Sequence, residues 1–113
     1  MPSPRDTRSP IYASRLFSRR PLDVRARLVA LHSSGQRIVV HARTCDVSRG
    51  GAGLTLTCSL PSGTEVALCL RLPDGSLLCV QAVVIRRHGF RVGVQFVRTT
   101  AEQRRMLSEL CCA

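Results

Sequence analysis

The chain has 113 residues, a formal net charge of +10 and a hydrophobic share of 44%, with three Phe, one Tyr and no Trp. A chain of this length makes one domain, and its core must come from Leu, Val, Ile, Ala and Cys. Wholly apolar runs are a few residues long, far short of the ~20 that a membrane-spanning helix needs. The first residues, Met1 to Arg5, lack the apolar segment of a secretory signal, so a cytoplasmic protein is expected.

Residues 1–14 carry three Pro among scattered Ser and Arg without periodicity, the pattern of a flexible tail ahead of a domain over 15–112. Arg15–Pro21 is a basic segment holding Leu16 and Phe17 and ending in a helix-excluding Pro. Six strands are then predicted. Val24–Leu31 alternates at its start, apolar residues in and Arg25 and Arg27 out. After the turn Ser33–Gln36 come Arg37–Cys45 and then Ala52–Thr57. Glu65–Leu72 alternates at Val66, Leu68, Leu70 and Leu72, and Pro73-Asp74-Gly75 signals a hairpin into Ser76–Arg86. Arg87-His88-Gly89 turns the chain into Phe90–Val97. Thr100 and Gln103 have capping-box spacing, and Met106, Leu107, Leu110 and Cys111 then form one apolar helix face. The expected fold is all-β dominated: a six-stranded antiparallel barrel with a flexible N-terminal arm and one C-terminal helix.

All 17 basic residues are Arg. Arg offers a planar fork that stacks on bases and grips phosphates with two hydrogen bonds, so a polyanionic partner is expected. A bias toward Arg codons explains the composition equally well away from the motifs below. The six Cys (45, 58, 69, 79, 111 and 112) include no C-x-x-C, and only His32, His41 and His88 stand as further ligands. A zinc site and a disulfide framework are therefore unsupported, and reduced thiols are expected.

Asp46-Val47-Ser48-Arg49-Gly50-Gly51 fits D-x-S-x-x-G, and Arg15-Leu16-Phe17-Ser18-Arg19 upstream fits R-x-x-x-R. Random placement of this many Arg yields roughly two or three R-x-x-x-R matches, so that half alone says little. Chance predicts roughly 0.03 occurrences of D-x-S-x-x-G. In this order, just outside a string of short strands, the pair resembles the PilZ domain family, over nearly the whole chain from about Arg15 to Leu110. The closing strand, with Gly93-Val94-Gln95-Phe96, resembles the end of the PilZ sheet.

The resemblance implies a non-enzymatic receptor for cyclic di-GMP, a bacterial second messenger, with no other cofactor and no metal. Arg15 and Arg19 are then assigned to guanine and phosphate contacts, since Arg matches guanine O6 and N7 with parallel hydrogen bonds. Asp46 can accept from guanine N1–H and N2–H, and Ser48 can donate or accept at short reach. Gly51 admits a backbone conformation or a close ligand approach that a Cβ would block. Asp46 and Ser48 have a plainer reading too, as caps of loop amides. Many family members double the first arginine of the motif. Here position 14 is Ser and the doubling is Arg19-Arg20, which leaves Arg20 between a phosphate contact and a solvated position. One ligand or a stacked pair both remain open. A ligand touching leader and barrel together would order the leader, and the signal would pass to a downstream protein.

Three other readings compete. Catalysis needs a nucleophile with its base, a metal cluster or paired carboxylates, and none is readable. A basic barrel binding RNA or single-stranded DNA fits the charge but lacks free aromatic rings for stacking, since Tyr12 and Phe17 are the only ones expected outside the strands. A PilZ-like adaptor that does not bind the nucleotide would keep the fold with degenerate motifs, whereas both are intact. Arg87/Arg91, a second R-x-x-x-R match, reads as solvated, like Arg49, and His41 as a strand-surface or packing residue.

Overall fold

The computed structural model describes residues 20–31 and 34–112. In chain order these form β1 (Arg20–Pro21), β2 (Arg25–Leu31), β3 (Arg37–Val47), β4 (Gly51–Leu56), β5 (Glu65–Arg71), β6 (Leu77–His88), β7 (Arg91–Val97) and α1 (Ala101–Cys112). The sheet runs β3-β2-β5-β6-β7-β4, and β4 pairs back onto β3, closing a six-stranded antiparallel barrel. Closure removes the exposed edges that an open sheet of this size would leave.

Alternation does the sorting. Leu78, Val80, Ala82 and Val84 of β6 point inward, as do Val66, Leu68 and Leu70 of β5 and Val92, Val94 and Phe96 of β7. The odd-numbered neighbours on β2, Arg25 and Arg27, point out, as the period of two requires. α1 contributes Leu107, which is fully buried, while Met106, Leu110 and Cys111 pack at the core's margin. Its start is the expected capping box: Gln103 N–H donates to Thr100 Oγ1 (3.1 Å) and Thr100 N–H to Gln103 Oε1 (2.8 Å).

The expected turn Arg87-His88-Gly89 falls later, at Gly89 and Phe90, since Arg87 and His88 belong to β6. The structure departs from the sequence reading in two further places. First, a seventh, two-residue strand stands where only an irregular leader was expected. Arg20 pairs with Val47 and Pro21 with Asp46. β1 and β2 run along the same flank of β3, interrupted at residues 22–24. The gap is held by Leu22 N–H to Cys45 O (3.2 Å), Thr44 N–H to Val24 O (3.0 Å) and Val24 N–H to Thr44 Oγ1 (2.9 Å). The Thr44 hydroxyl donates onward to Leu22 O, and Thr44 is only 3% exposed. Second, the expected loop over 46–51 is shorter: Asp46 and Val47 belong to β3 and Gly51 to β4, leaving residues 48–50 as the turn. The tail over 1–14, Arg15 and Arg19 lie outside the described residues.

Candidate functional site

The turn between β3 and β4 is built around Ser48. Its side chain is buried, with the residue 2% exposed, and Oγ accepts from the N–H groups of Gly50 and Gly51 (both 3.2 Å). The hydroxyl lies 3.3 Å from Gly51 O, and Ser48 N–H donates to that same carbonyl (2.8 Å). Phe96 N–H donates to Gly50 O (2.9 Å), which ties the turn to β7. A Cβ on Gly51 would stand 2.2 Å from Val94 O, so glycine is required here by the closeness of two backbones. Ser48 and Gly51 therefore shape the bend that carries Asp46.

Asp46 faces outward at the end of β3. Its Oδ1 accepts from Gly53 N–H (3.1 Å) across the strand pair. The register then continues straight around the barrel: Asp46 opposite Gly53, Gly53 opposite Gly93, and Gly93 opposite Arg86. This is a row with a guanidinium at one end and a carboxylate at the other, the carboxylate lying over Gly53, where a Cβ would stand 3.0 Å from Asp46 Oδ1, while Gly93 beside it is bare backbone. Both ends follow irregularities in the ladder, between Thr44 and Asp46 on β3 and between Val84 and Arg86 on β6. Such bulges re-aim side chains, and here they bring Asp46 and Arg86 into line with the glycines.

A groove of about 420 Å³ lies over this row, lined among others by Asp46, Gly53, Gly93, Arg86, Arg87 and Arg91. Three arginines against one carboxylate make it an anion-attracting surface. Arg87 donates to Ser59 Oγ. With no Cβ on Gly93, a flat ring can lie against the peptide planes there, its edge toward Asp46 and its anionic part toward Arg86 and Arg91. Among the described residues no group of three or more His, Cys, Asp or Glu is placed to hold a metal ion.

Of the residues singled out in the sequence, the structure brings Asp46, Ser48, Gly51 and Arg20 to one region. Arg20, half-buried, is paired with Val47, one residue from Ser48. Gly53, Gly93, Arg86 and Arg91 were missed. Alternation alone marks the two glycines as outward-facing, which was the signal available for them. Their mutual pairing, and the bulge that brings Arg86 beside them, depend on register.

The comparisons with known proteins agree with this fold. No curated protein matches the chain significantly. The PilZ domain of CeSA from a cellulose-synthesizing bacterium superposes with a TM-score of 0.67 at 25% identity, over 84% of this chain and 95% of that one. The PilZ domain with c-di-GMP of YcgR from Escherichia coli gives 0.70 at 17%, over 85% and 87%. The Bacillus subtilis inhibitor of motility (MotI/DgrA) gives 0.68 at 19%, and there the match covers 85% of this chain but 48% of the other. The family model for the PilZ domain matches residues 13–112, taking in both motifs, the whole barrel and α1. PilZ domains are binding and regulatory domains rather than enzymes, and cyclic di-GMP is the ligand of the family. With the motif match, the closed barrel and these superpositions in agreement, this chain belongs to the PilZ domain family.

Proposed function

We propose that this protein is a cyclic di-GMP receptor whose ligand lies over the Asp46–Gly53–Gly93–Arg86 row, clasped from outside by the arginines of the leader. The observation that carries this reading is the row itself, together with the attachment of β1 beside it. A guanine lies flat on Gly93, its edge toward the Asp46 carboxylate over Gly53. Asp46 accepts from guanine N1–H and N2–H, a pairing that adenine, lacking both donors, does not offer. Arg86 and Arg91 meet the phosphates. Arg15 and Arg19 supply the forks for guanine O6/N7 and phosphate, and one bidentate pair contributes ~1–3 kcal/mol of discrimination. Ser48 and Gly51 act by holding the bend, and Arg20 by standing where the leader joins the barrel. The ordered leader then presents a new surface to a protein partner in the cytoplasm.

The test is calorimetric titration with cyclic di-GMP of the wild type, Arg19→Ala and Asp46→Asn. Asparagine keeps an acceptor for Gly53 N–H and removes the charge. Saturable heat in the wild type, at least a tenfold loss in each variant, and slowed hydrogen exchange over residues 12–22 on saturation are expected. A folded wild type that takes up no ligand, or variants that bind as tightly as it does, would refute the reading.

A further inference from the structure

We propose that Cys69 and Cys79 form a reversible oxidation site, a cross-strand thiol pair that a peroxide converts to a disulfide. The pair stands apart from the nucleotide groove, on the outer face of β5 and β6, where the two residues are directly opposite each other. Their position in the ladder follows from the hairpin. Leu72 N–H donates to Ser76 O (2.8 Å) and Gly75 N–H to Leu72 O (2.9 Å), with Gly75 at φ 89°, so Leu72 and Ser76 are a hydrogen-bonded pair. Hydrogen-bonded and non-hydrogen-bonded pairs alternate along an antiparallel ladder. Moving away from the turn, Arg71/Leu77 is non-hydrogen-bonded, Leu70/Leu78 hydrogen-bonded and Cys69/Cys79 non-hydrogen-bonded.

In the non-hydrogen-bonded position the Cα atoms stand ~4.5 Å apart and side chains are at their closest. A disulfide accepts Cα separations of about 4.4–6.8 Å. The bridge therefore forms without strand movement, but at the short edge of its range. Cys79 is exposed, and exposed bridges are more easily reduced than buried structural ones. The pair is accordingly dithiol in a reducing compartment and closes only under oxidant.

The two thiols differ. Cys79 is exposed and Cys69 half-buried. Burial first, and then its hydrogen bond with Cys79, push the Cys69 thiol up to about 11, so Cys69 keeps its proton at neutral pH. Cys79, as thiolate, attacks the peroxide; the O–O bond breaks, leaving a Cys79 sulfenic acid and one hydroxide, which becomes water on protonation. The Cys69 sulfur then attacks the Cys79 sulfur, the S–O bond breaks, and the departing hydroxide takes the Cys69 proton as a second water. Two electrons pass from the thiol pair to the peroxide. Arg27, paired with Cys69 on its other side, favours the negative charge that develops as Cys69 attacks.

The experiment treats the full chain with a small excess of hydrogen peroxide, alkylates remaining thiols, and maps tryptic peptides without reduction. Cleavage after Arg49, Arg71 and Arg86 separates Cys69 from Cys79 but leaves Cys58 on the Cys69 peptide. Cys58→Ser is therefore run beside the wild type. In both, the Cys69 and Cys79 peptides should appear joined, lighter by two hydrogens, with both alkylation sites lost and both regained in millimolar glutathione. Cys79→Ser should leave Cys69 fully alkylatable. The proposal fails if Cys69 stays alkylatable in oxidised wild type, if Cys79 advances to sulfinic acid instead, or if it pairs with Cys58, Cys111, Cys112 or another chain.

Discussion

Gly93→Ala separates the ligand from the fold. A Cβ at this position meets only the Arg86 Cβ, at 4.0 Å, an ordinary contact, and the backbone is outside the left-handed region. The strand should accept the methyl, and the stiffer unfolded chain adds ~0.4–1 kcal/mol of stability. For a domain of this size ~1 kcal/mol corresponds to roughly 4–8 °C in Tm, so Tm should hold or rise by a few degrees. The floor of the groove, however, gains a protrusion under the proposed guanine. About eleven ring atoms, each over about two floor atoms at ~0.15 kcal/mol per contact, contribute ~3 kcal/mol of dispersion, and lifting the ring by up to ~1 Å forfeits as much as half of it. A loss of ~1.5 kcal/mol is about tenfold in Kd. Calorimetric titration and thermal unfolding of the same preparation report the two quantities together. A variant with undiminished Tm and a Kd within about twofold of the parent would remove the ring from the glycine floor.

Gly51→Ala should do the opposite: its Cβ, 2.2 Å from Val94 O, forces β4 and β7 apart. A loss of roughly 1–3 kcal/mol or more in urea unfolding is expected. Ser48→Ala strips the acceptor from two turn amides, one of them buried, and should lower stability by ~1–3 kcal/mol. If stability instead holds while affinity collapses, Ser48 acts on the ligand directly. Thr44→Val keeps the shape but removes the hydroxyl that joins Val24 N–H and Leu22 O, so exchange of the Val24 amide should accelerate and affinity should fall through the leader. For Cys69 the folded thiol titrates at about 11 against an ordinary 9.0. Between those values the unfolded chain has lost a proton that the folded chain retains, so stability falls as pH rises through that window. In reductant, Cys69→Ala should flatten that alkaline decline relative to the wild type.

The barrel was legible because its strands obey a period of two with few exceptions. Val66, Leu68 and Leu70, or Val92, Val94 and Phe96, announce a buried face without reference to any partner strand. Thr100 and Gln103 announced α1 for the same reason, since a capping box is local. What stayed hidden was pairwise. β1 has two residues and no alternation to read, and exists because Val47 and Asp46 offer it a free flank. Arg86 looks like any strand-end arginine until the ladder slips after Val84 and sets it opposite Gly93. The motif was visible as letters, but its division of labour was not. Ser48 is buried on its own turn, and Gly51 answers to Val94. Only Asp46 of the three faces the groove.

That division bears on how the leader works. The row from Asp46 to Arg86 crosses four strands, three spacings of ~4.8 Å, or ~14 Å, and β1 lies one spacing further on the far flank of β3. Arg15 and Arg20 are five residue steps apart, which in extended chain reach at most ~17 Å. Adding the length of an arginine side chain, the leader is long enough to lay its forks along the whole row. Thr44 holds residues 22–24 against β3, which fixes the root of the leader beside Val47. In the proposed complex a short tether with a fixed root would hold its arginines at high effective concentration over the groove. Lengthening it with flexible residues between Arg19 and Arg20 would dilute that concentration while leaving every contact on the barrel intact. On the proposed reading, affinity should therefore depend on the covalent distance to Thr44 as much as on the arginines themselves, and a titration of the lengthened chain that matches the wild type would refute it.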